Sequence, residues 1–268
     1  MKLKKLLSAM LVAASLAAAG SASAIGVFNE FTVNETVVPG ALVSPGAANP
    51  ALEVDKLNGS YVERLTQTGL NTFSAQGFAT FSSYLTNDGT TVIASLLNSL
   101  ESTGGYLLRA VFSATGTITG PNTFSSNNTS FSLFLDPNQN TTATFAALNS
   151  GSVTPTLSGN SDDLLLATSL MGVGTGNLNG PPGAFNIDFS SFTLSPFGAT
   201  FFTAPNPFHM NVRVNGDYDI VSPVAGDLAT RNITGDVSAV FQQVPEPSSI
   251  GLLGLALVGL AAARRRKS

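Results

Sequence analysis

Ser130-Phe131-Ser132-Leu133-Phe134-Leu135 puts Phe131, Leu133 and Leu135 on one side of an extended chain and Ser130, Ser132 and Phe134 on the other. Successive side chains of a strand point to opposite faces, so this period of two marks a strand with one face in a core. The period recurs at Phe185, Ile187 and Phe189, and at Met210, Val212 and Val214, which alternate with Asn211, Arg213 and Asn215. Tyr106 to Phe112 and Asp236 to Phe241 read as further strands. After Phe189 the phase slips, because Phe192 and Leu194 have the other parity, and Ser190-Ser191 is the expected place for a bulge. Turns are expected at Asn87-Asp88-Gly89, Thr119-Gly120-Pro121-Asn122, Asn179-Gly180-Pro181-Pro182-Gly183 and Asn215-Gly216-Asp217.

One segment departs from this pattern. Ile93, Leu96, Leu97 and Leu100 recur at i, i+3, i+4 and i+7, with Thr90 or Thr91 as N-cap and Gly104-Gly105 beyond the end, so a short helix is expected from Thr91 to Leu100. Many short strands, Gly/Pro turns and one helix together predict an all-β fold, a single β-sandwich of jelly-roll type, over residues 25–241. There are no cysteines, so hydrophobic burial and hydrogen bonds must hold this domain together.

Export is read from both ends. Lys2, Lys4 and Lys5, an apolar centre from Leu6 to Ala19 and the small residues Ala22-Ser23-Ala24 make a secretory signal peptide, residues 1–24, with Ala22 and Ala24 as the signal-peptidase site. At the other end a linker, residues 242–249, contains Pro245-Glu246-Pro247. It leads into an apolar run, residues 250–263, expected as a short transmembrane helix, and then a basic tail, 264–268, with Arg264, Arg265 and Arg266. The basic cluster should stay cytoplasmic, which leaves the rest outside the inner membrane. This order of Pro-Glu-Pro, apolar run and arginines resembles the PEP-CTERM sorting signal of exported proteins in exopolysaccharide-producing Gram-negative bacteria. The resemblance implies processing by an exosortase-type protease after a transient inner-membrane anchor.

Between Ile25 and Val244 only Lys56, Arg64, Arg109, Arg213 and Arg231 are basic, against fifteen acidic residues, a net charge of −10. An acidic body disfavours nucleic acid, which needs a basic footprint, and leaves neutral polysaccharide, divalent cations or proteins as partners. Its surface must be rich in hydroxyl and amide groups, since only 10 % of the chain is charged. Eighteen phenylalanines and no tryptophan point to a Phe core and away from sugar stacking on indoles, while Phe201-Phe202 and the run to Phe208 suggest a sheet edge or rim.

Catalytic motifs are sparse. His209 is the only histidine, no Gly-x-Ser-x-Gly elbow or His-Glu-x-x-His is present, and no catalytic residue is assigned. Asp162-Asp163, or Asp217 with Asp219, offer the carboxylate pairs that a glycoside hydrolase would need. Asp136, Asn138 and Asn140 follow an Asp-x-Asn-x-Asn spacing that suits calcium, and Asn215, Asp217 and Asp219 form a second oxygen-rich stagger. Thr141 in place of Gly, and Ala147 where a bidentate Glu belongs, depart from an EF-hand loop, so no cofactor is expected beyond these weak calcium candidates.

Several segments together resemble the flocculation-associated PEP-CTERM proteins: Lys56 to Glu63 (KLNGSYVE), Ser130 to Thr142 (SFSLFLDPNQNTT), Ser161 to Ala167 (SDDLLLA), Gly183 to Leu194 (GAFNIDFSSFTL), Phe201 to Asp219 (FFTAPNPFHMNVRVNGDYD) and Gly235 to Phe241 (GDVSAVF). The resemblance implies a non-enzymatic matrix protein that helps cells form flocs with exopolysaccharide at the cell surface or beyond it. A calcium-assisted lectin is the alternative, and a polysaccharide hydrolase stands behind both.

Overall fold

The alternating segments all become strands in a computed structural model, which describes residues 28–41, 51–120, 123–147, 153–177, 183–218 and 230–241. In chain order the strands are β1 (Phe31–Asn34), β2 (Ala51–Val54), β3 (Lys56–Gly69), β4 (Thr72–Thr86), β5 (Thr91–Val92), β6 (Leu107–Gly120), β7 (Thr123–Asp136), β8 (Thr142–Thr144), β9 (Thr156–Ser158), β10 (Leu164–Ser169), β11 (Met171–Asn177), β12 (Gly183–Ser190), β13 (Thr193–Leu194), β14 (Phe202–Ala204), β15 (Met210–Tyr218) and β16 (Thr230–Phe241). One four-residue helix, α1 (Gly198–Phe201), precedes β14.

The sandwich expectation is wrong. β3, β4, β6, β7, β11, β12, β15 and β16 follow one another in that order with antiparallel pairing throughout, β16 pairs back onto β3, and β11 pairs with β7. The result is a closed eight-stranded meander barrel. Alternation shows only that one face of a strand is buried, and that face reads the same whether it meets a second sheet or the inside of its own closed sheet. Strand length is the physical clue, because β3, β6 and β7 have 14 residues and β4 has 15, well beyond the usual five or six. A line of register partners leaves β7 at Ser126, passes Gly174, Ile187, Val214, Val237, Gly59, Phe81 and Leu108, and returns to β7 at Leu135. That offset is the stagger that closure of strongly tilted strands requires.

Inward residues fill the barrel. Phe131, Leu133, Leu135, Ile187, Phe189, Met210, Val212 and Val214 are buried, as their parity predicts. An aromatic layer crosses the interior, with Phe112 against Phe131 at 6.3 Å, Phe189 at 6.1 Å and Tyr61 at 5.5 Å. Gly77 is glycine for a definite reason, since a Cβ there would lie 2.1 Å from the Phe112 ring.

One end of the barrel is plugged. A small sheet in the order β14-β1-β2 lies over it with α1, and Phe31 stacks on Phe241 at 4.0 Å while Phe201 meets Tyr106 edge-on at 5.8 Å. A Cβ on Gly198 would fall 1.9 Å from the Leu166 carbonyl oxygen, so α1 sits hard on β10 only because that residue has no side chain. At the other end β3 turns into β4 at Leu70-Asn71, and β6, β11 and β15 end where β7, β12 and β16 begin.

Three local expectations also change. Thr91 to Leu100 is not a helix: β5 is followed by irregular chain, the Ile93 and Leu96 N–H groups donate to Tyr84 O and to Glu35, and Leu100 is exposed. Tertiary partners have taken the donors that a helix would use internally. Instead of bulging, the chain breaks at Ser190-Ser191, where Ser191 takes a positive φ of 55° and leads out of the barrel to β13, which pairs with β10. Asn215-Gly216-Asp217 lies inside β15 and is not a turn. Asn87-Asp88-Gly89 is a turn, with φ of 56°, 57° and 71°. Among the described residues no helix is long and apolar enough to cross a membrane. The signal peptide with Ala22 and Ala24, and the expected helix 250–263 with its flanking motif, lie outside the described residues.

Candidate functional site

Asp136 ends β7, and its carboxylate is wholly buried. It accepts hydrogen bonds from Arg109 Nε at 2.9 Å, from the Thr141 N–H at 3.0 Å and from the Asn140 N–H at 3.2 Å. Arg109 also donates to Thr80 Oγ1 at 3.0 Å and lies over the Phe78 ring. A guanidinium and two backbone amides therefore hold the Asp136 oxygens. Asn138 donates from its amide nitrogen to Asp162 at 2.8 Å, and Thr141 Oγ1 donates to Asp163 at 2.8 Å. These contacts stitch the loop after β7 to the loop before β10. Burial first, then the nearby Asp136 and Asp162 charges, raise the Asp163 carboxyl above the usual range, while Thr141 and Arg109 oppose the rise.

The second oxygen-rich stagger is spread along a strand. Asn215 and Asp217 sit on β15, opposite Asn186 and Ala184 of β12, and Asp219 lies outside the described residues. Among the described residues no three His, Cys, Asp or Glu side chains are grouped to hold a metal. The Phe201 to Phe208 run supplies β14, the edge strand of the small sheet, but its phenylalanines turn inward. Phe201 and Phe202 are buried in the plug, and Phe208 packs on Phe202 and Phe241 at 5.3 and 5.1 Å. His209 immediately precedes β15, and its buried Nε2 has no hydrogen-bond partner.

Two acids that the sequence reading did not assign to a site, Glu35 and Glu63, are also raised. Glu35, at the plug, accepts from Tyr106 Oη at 2.9 Å and from the Leu96 N–H, while Tyr84 and Tyr106 hydroxyls meet at 3.0 Å. Burial raises its carboxyl, and these hydrogen bonds pull it back. Glu63 points into the barrel from β3, is fully buried, and is pushed by desolvation alone to about 8. Its Oε2 has no hydrogen-bond partner, nor do the buried hydroxyls of Ser126 and Thr129. Its parity with Tyr61 and Leu65 was the available signal, since that places Glu63 on the apolar face of its strand.

Outside the described barrel, residues 243–267 match the model of the PEP-CTERM protein-sorting motif. The chain carries a PEP-CTERM sorting signal. The match takes in Pro245, Glu246, Pro247 and the arginines 264–266, the residues that the sequence reading assigned to sorting. The PEP-CTERM signal implies an exported protein processed by exosortase, with a membrane-anchoring C-terminal region. Comparison with curated proteins and with solved structures gives no match.

Proposed function

We propose that this exported barrel is a matrix protein that promotes floc formation together with exopolysaccharide, without catalysis of its own. The observation that carries the reading is the PEP-CTERM match at residues 243–267, which sends an acidic, hydroxyl-rich domain out of the cell. Closure supports it, because a barrel leaves no long strand edge on which copies would aggregate by strand pairing. The outer wall of β6 and β7 offers hydroxyls such as the Ser113 and Ser130 pair, which meet at 2.7 Å. Many such weak contacts, multiplied over many copies, give durable adhesion to a hydrated polymer. The net negative body shares divalent cations with acidic polymer, so chelation should loosen flocs.

The test is deletion of the gene, with flocs, polysaccharide output and protein location scored, and complementation by the intact chain or by one with Pro245, Glu246 and Pro247 changed to alanine. Lost flocs at normal polysaccharide output, restored only by the intact chain, is the expected result. Unchanged flocculation in the deletion strain overturns the reading.

A further inference from the structure

β11 reverses the polarity of its neighbours. On β7 the residues Phe131, Leu133 and Leu135 line the interior, and on β12 Ile187 and Phe189 do the same. In Met171-Gly172-Val173-Gly174-Thr175 the two glycines face inward, and Met171, Val173 and Thr175 face out. The inward positions have no room for side chains, because a Cβ on Gly172 would lie 2.6 Å from Thr129 Oγ1 and 2.9 Å from the Phe189 ring, and one on Gly174 would lie 3.0 Å from the Ser126 Cβ. Neighbouring strands thus fill the core beside β11, and its aliphatic side chains stand on the outer wall. Leu170, the single residue between β10 and β11, is 78 % exposed, Val173 64 % and Met171 62 %. The strip is held in place, since Ser169 Oγ accepts from the Met171 N–H at 3.1 Å and donates to the Ser190 carbonyl, and β11 is paired on both edges, with β7 and β12. Single exposed apolar residues are ordinary on a protein surface, whereas a contiguous strip of three on a fixed wall marks a contact.

We propose that Leu170, Met171 and Val173 form the centre of an isologous contact with a second copy of this chain, β11 wall against β11 wall. Charge selects the partner. The body carries −10 between Ile25 and Val244, so two copies repel at long range. Beside the strip the charge cancels, because Asp188, opposite Val173 in register, is paired with Arg213 at 2.7 Å, and the β7 flank carries the neutral Asn128 and Ser130. Two copies therefore meet here without a like-charge penalty, and a line of three aliphatic side chains is complementary to itself about a two-fold axis. A hydrated glycan is a poorer occupant, since the strip is aliphatic and gives a sugar no ring to stack on. The contact joins faces, so it does not need the strand edges that closure removes. Three side chains fall short of the roughly 800 Å² per partner of a standard stable interface, so the dimer is weak, with a dissociation constant on the order of tens of micromolar, and forms where the protein is concentrated.

The chain has no cysteine, so one introduced thiol reports on one position. Full-length Val173→Cys, and as control Ser60→Cys on β3, exposed and four strands away round the ring, are produced in the host lacking the native gene, and intact cells are oxidised with copper phenanthroline. The covalent dimer, identified by mass spectrometry, is expected to be at least about tenfold more abundant for Val173→Cys than for Ser60→Cys, because a residue near a two-fold axis meets its own copy. Adding Arg213→Glu, which places a second acid beside Asp188 on both copies, should cut the dimer about tenfold while the circular dichroism of the purified protein is unchanged. Met171→Asp, which charges the strip itself, is the second variant and should act the same way. Equal cross-linking at the two positions, a dimer that survives either charge variant, or a thiol joined to a different protein overturns the proposal. A thiol at position 173 that stays monomeric, whether open to maleimide or shielded from it by lipid vesicles or exopolysaccharide, overturns it too.

Discussion

Replacing Glu63 by glutamine should stabilise the protein at neutral pH and flatten its dependence on pH. The wild-type carboxyl titrates at about 8 in the fold, against 4.5 when solvated. Between those values the folded chain keeps the proton and the unfolded chain releases it, so the unfolded state binds fewer protons and stability falls as pH rises. Each pH unit removes about 1.4 kcal/mol. The cost on this basis is small near pH 5, on the order of 3 kcal/mol at pH 7, and levels off near 5 kcal/mol above pH 8. Glutamine keeps the shape and the hydrogen-bonding capacity but cannot ionise. Urea unfolding of both full chains at pH 5, 7 and 8.5, followed by far-ultraviolet circular dichroism, reads the difference directly. Glu35 and Asp163 have the same sign of effect, but they are common to both proteins and cancel. Wild-type and variant curves that run parallel across this range would refute the reasoning, as would a wild type whose relative stability rose with pH.

Arg109→Met should cost about 3 kcal/mol or more, because it strands the wholly buried Asp136 carboxylate, and limited proteolysis should then cut faster between residues 137 and 163. Arg213→Ala should change stability by less than about 1 kcal/mol in the same urea assay, since its pair with Asp188 is short at 2.7 Å but exposed on both sides. Gly77→Ala should destabilise by at least about 2 kcal/mol through its clash with the Phe112 ring, and Phe112→Leu in the same chain should recover part of that loss, a non-additivity that a double-mutant cycle measures. Phe31→Ala should cost about 3 to 5 kcal/mol and speed hydrogen exchange in the plug more than in β6 or β7.

The strands were legible because their core-facing residues keep strict parity: Phe131, Leu133 and Leu135 are buried as a set, and so are Met210, Val212 and Val214. Closure was not legible. It depends on the pairing of Thr123–Ser126 with Gly174–Asn177, a register between segments whose glycines and hydroxyls carry little hydrophobic signal. The helix expected at Thr91 to Leu100 failed because a period of 3.6 in four apolar residues is also met by irregular chain whose amides are claimed by Glu35 and Tyr84. Asp136 drew notice by its spacing with Asn138 and Asn140, yet Arg109, its cation, is 27 residues away in sequence and reached only through the β6–β7 pairing. Glu63 was overlooked because, in a short polar stretch, one acid between Val62 and Arg64 looks solvated. The sorting tail was fully legible, since it is read as linear sequence and needs no fold.

The last strand of the barrel fixes the end from which the sorting tail departs. β16 runs from the hairpin end to Phe241, which is stacked beneath Phe31 in the plug, so the chain leaves toward its anchor from the plugged end. Whatever the sorting tail is joined to is therefore joined through the plugged end, and the turn at Leu70-Asn71 stands at the opposite end of the barrel.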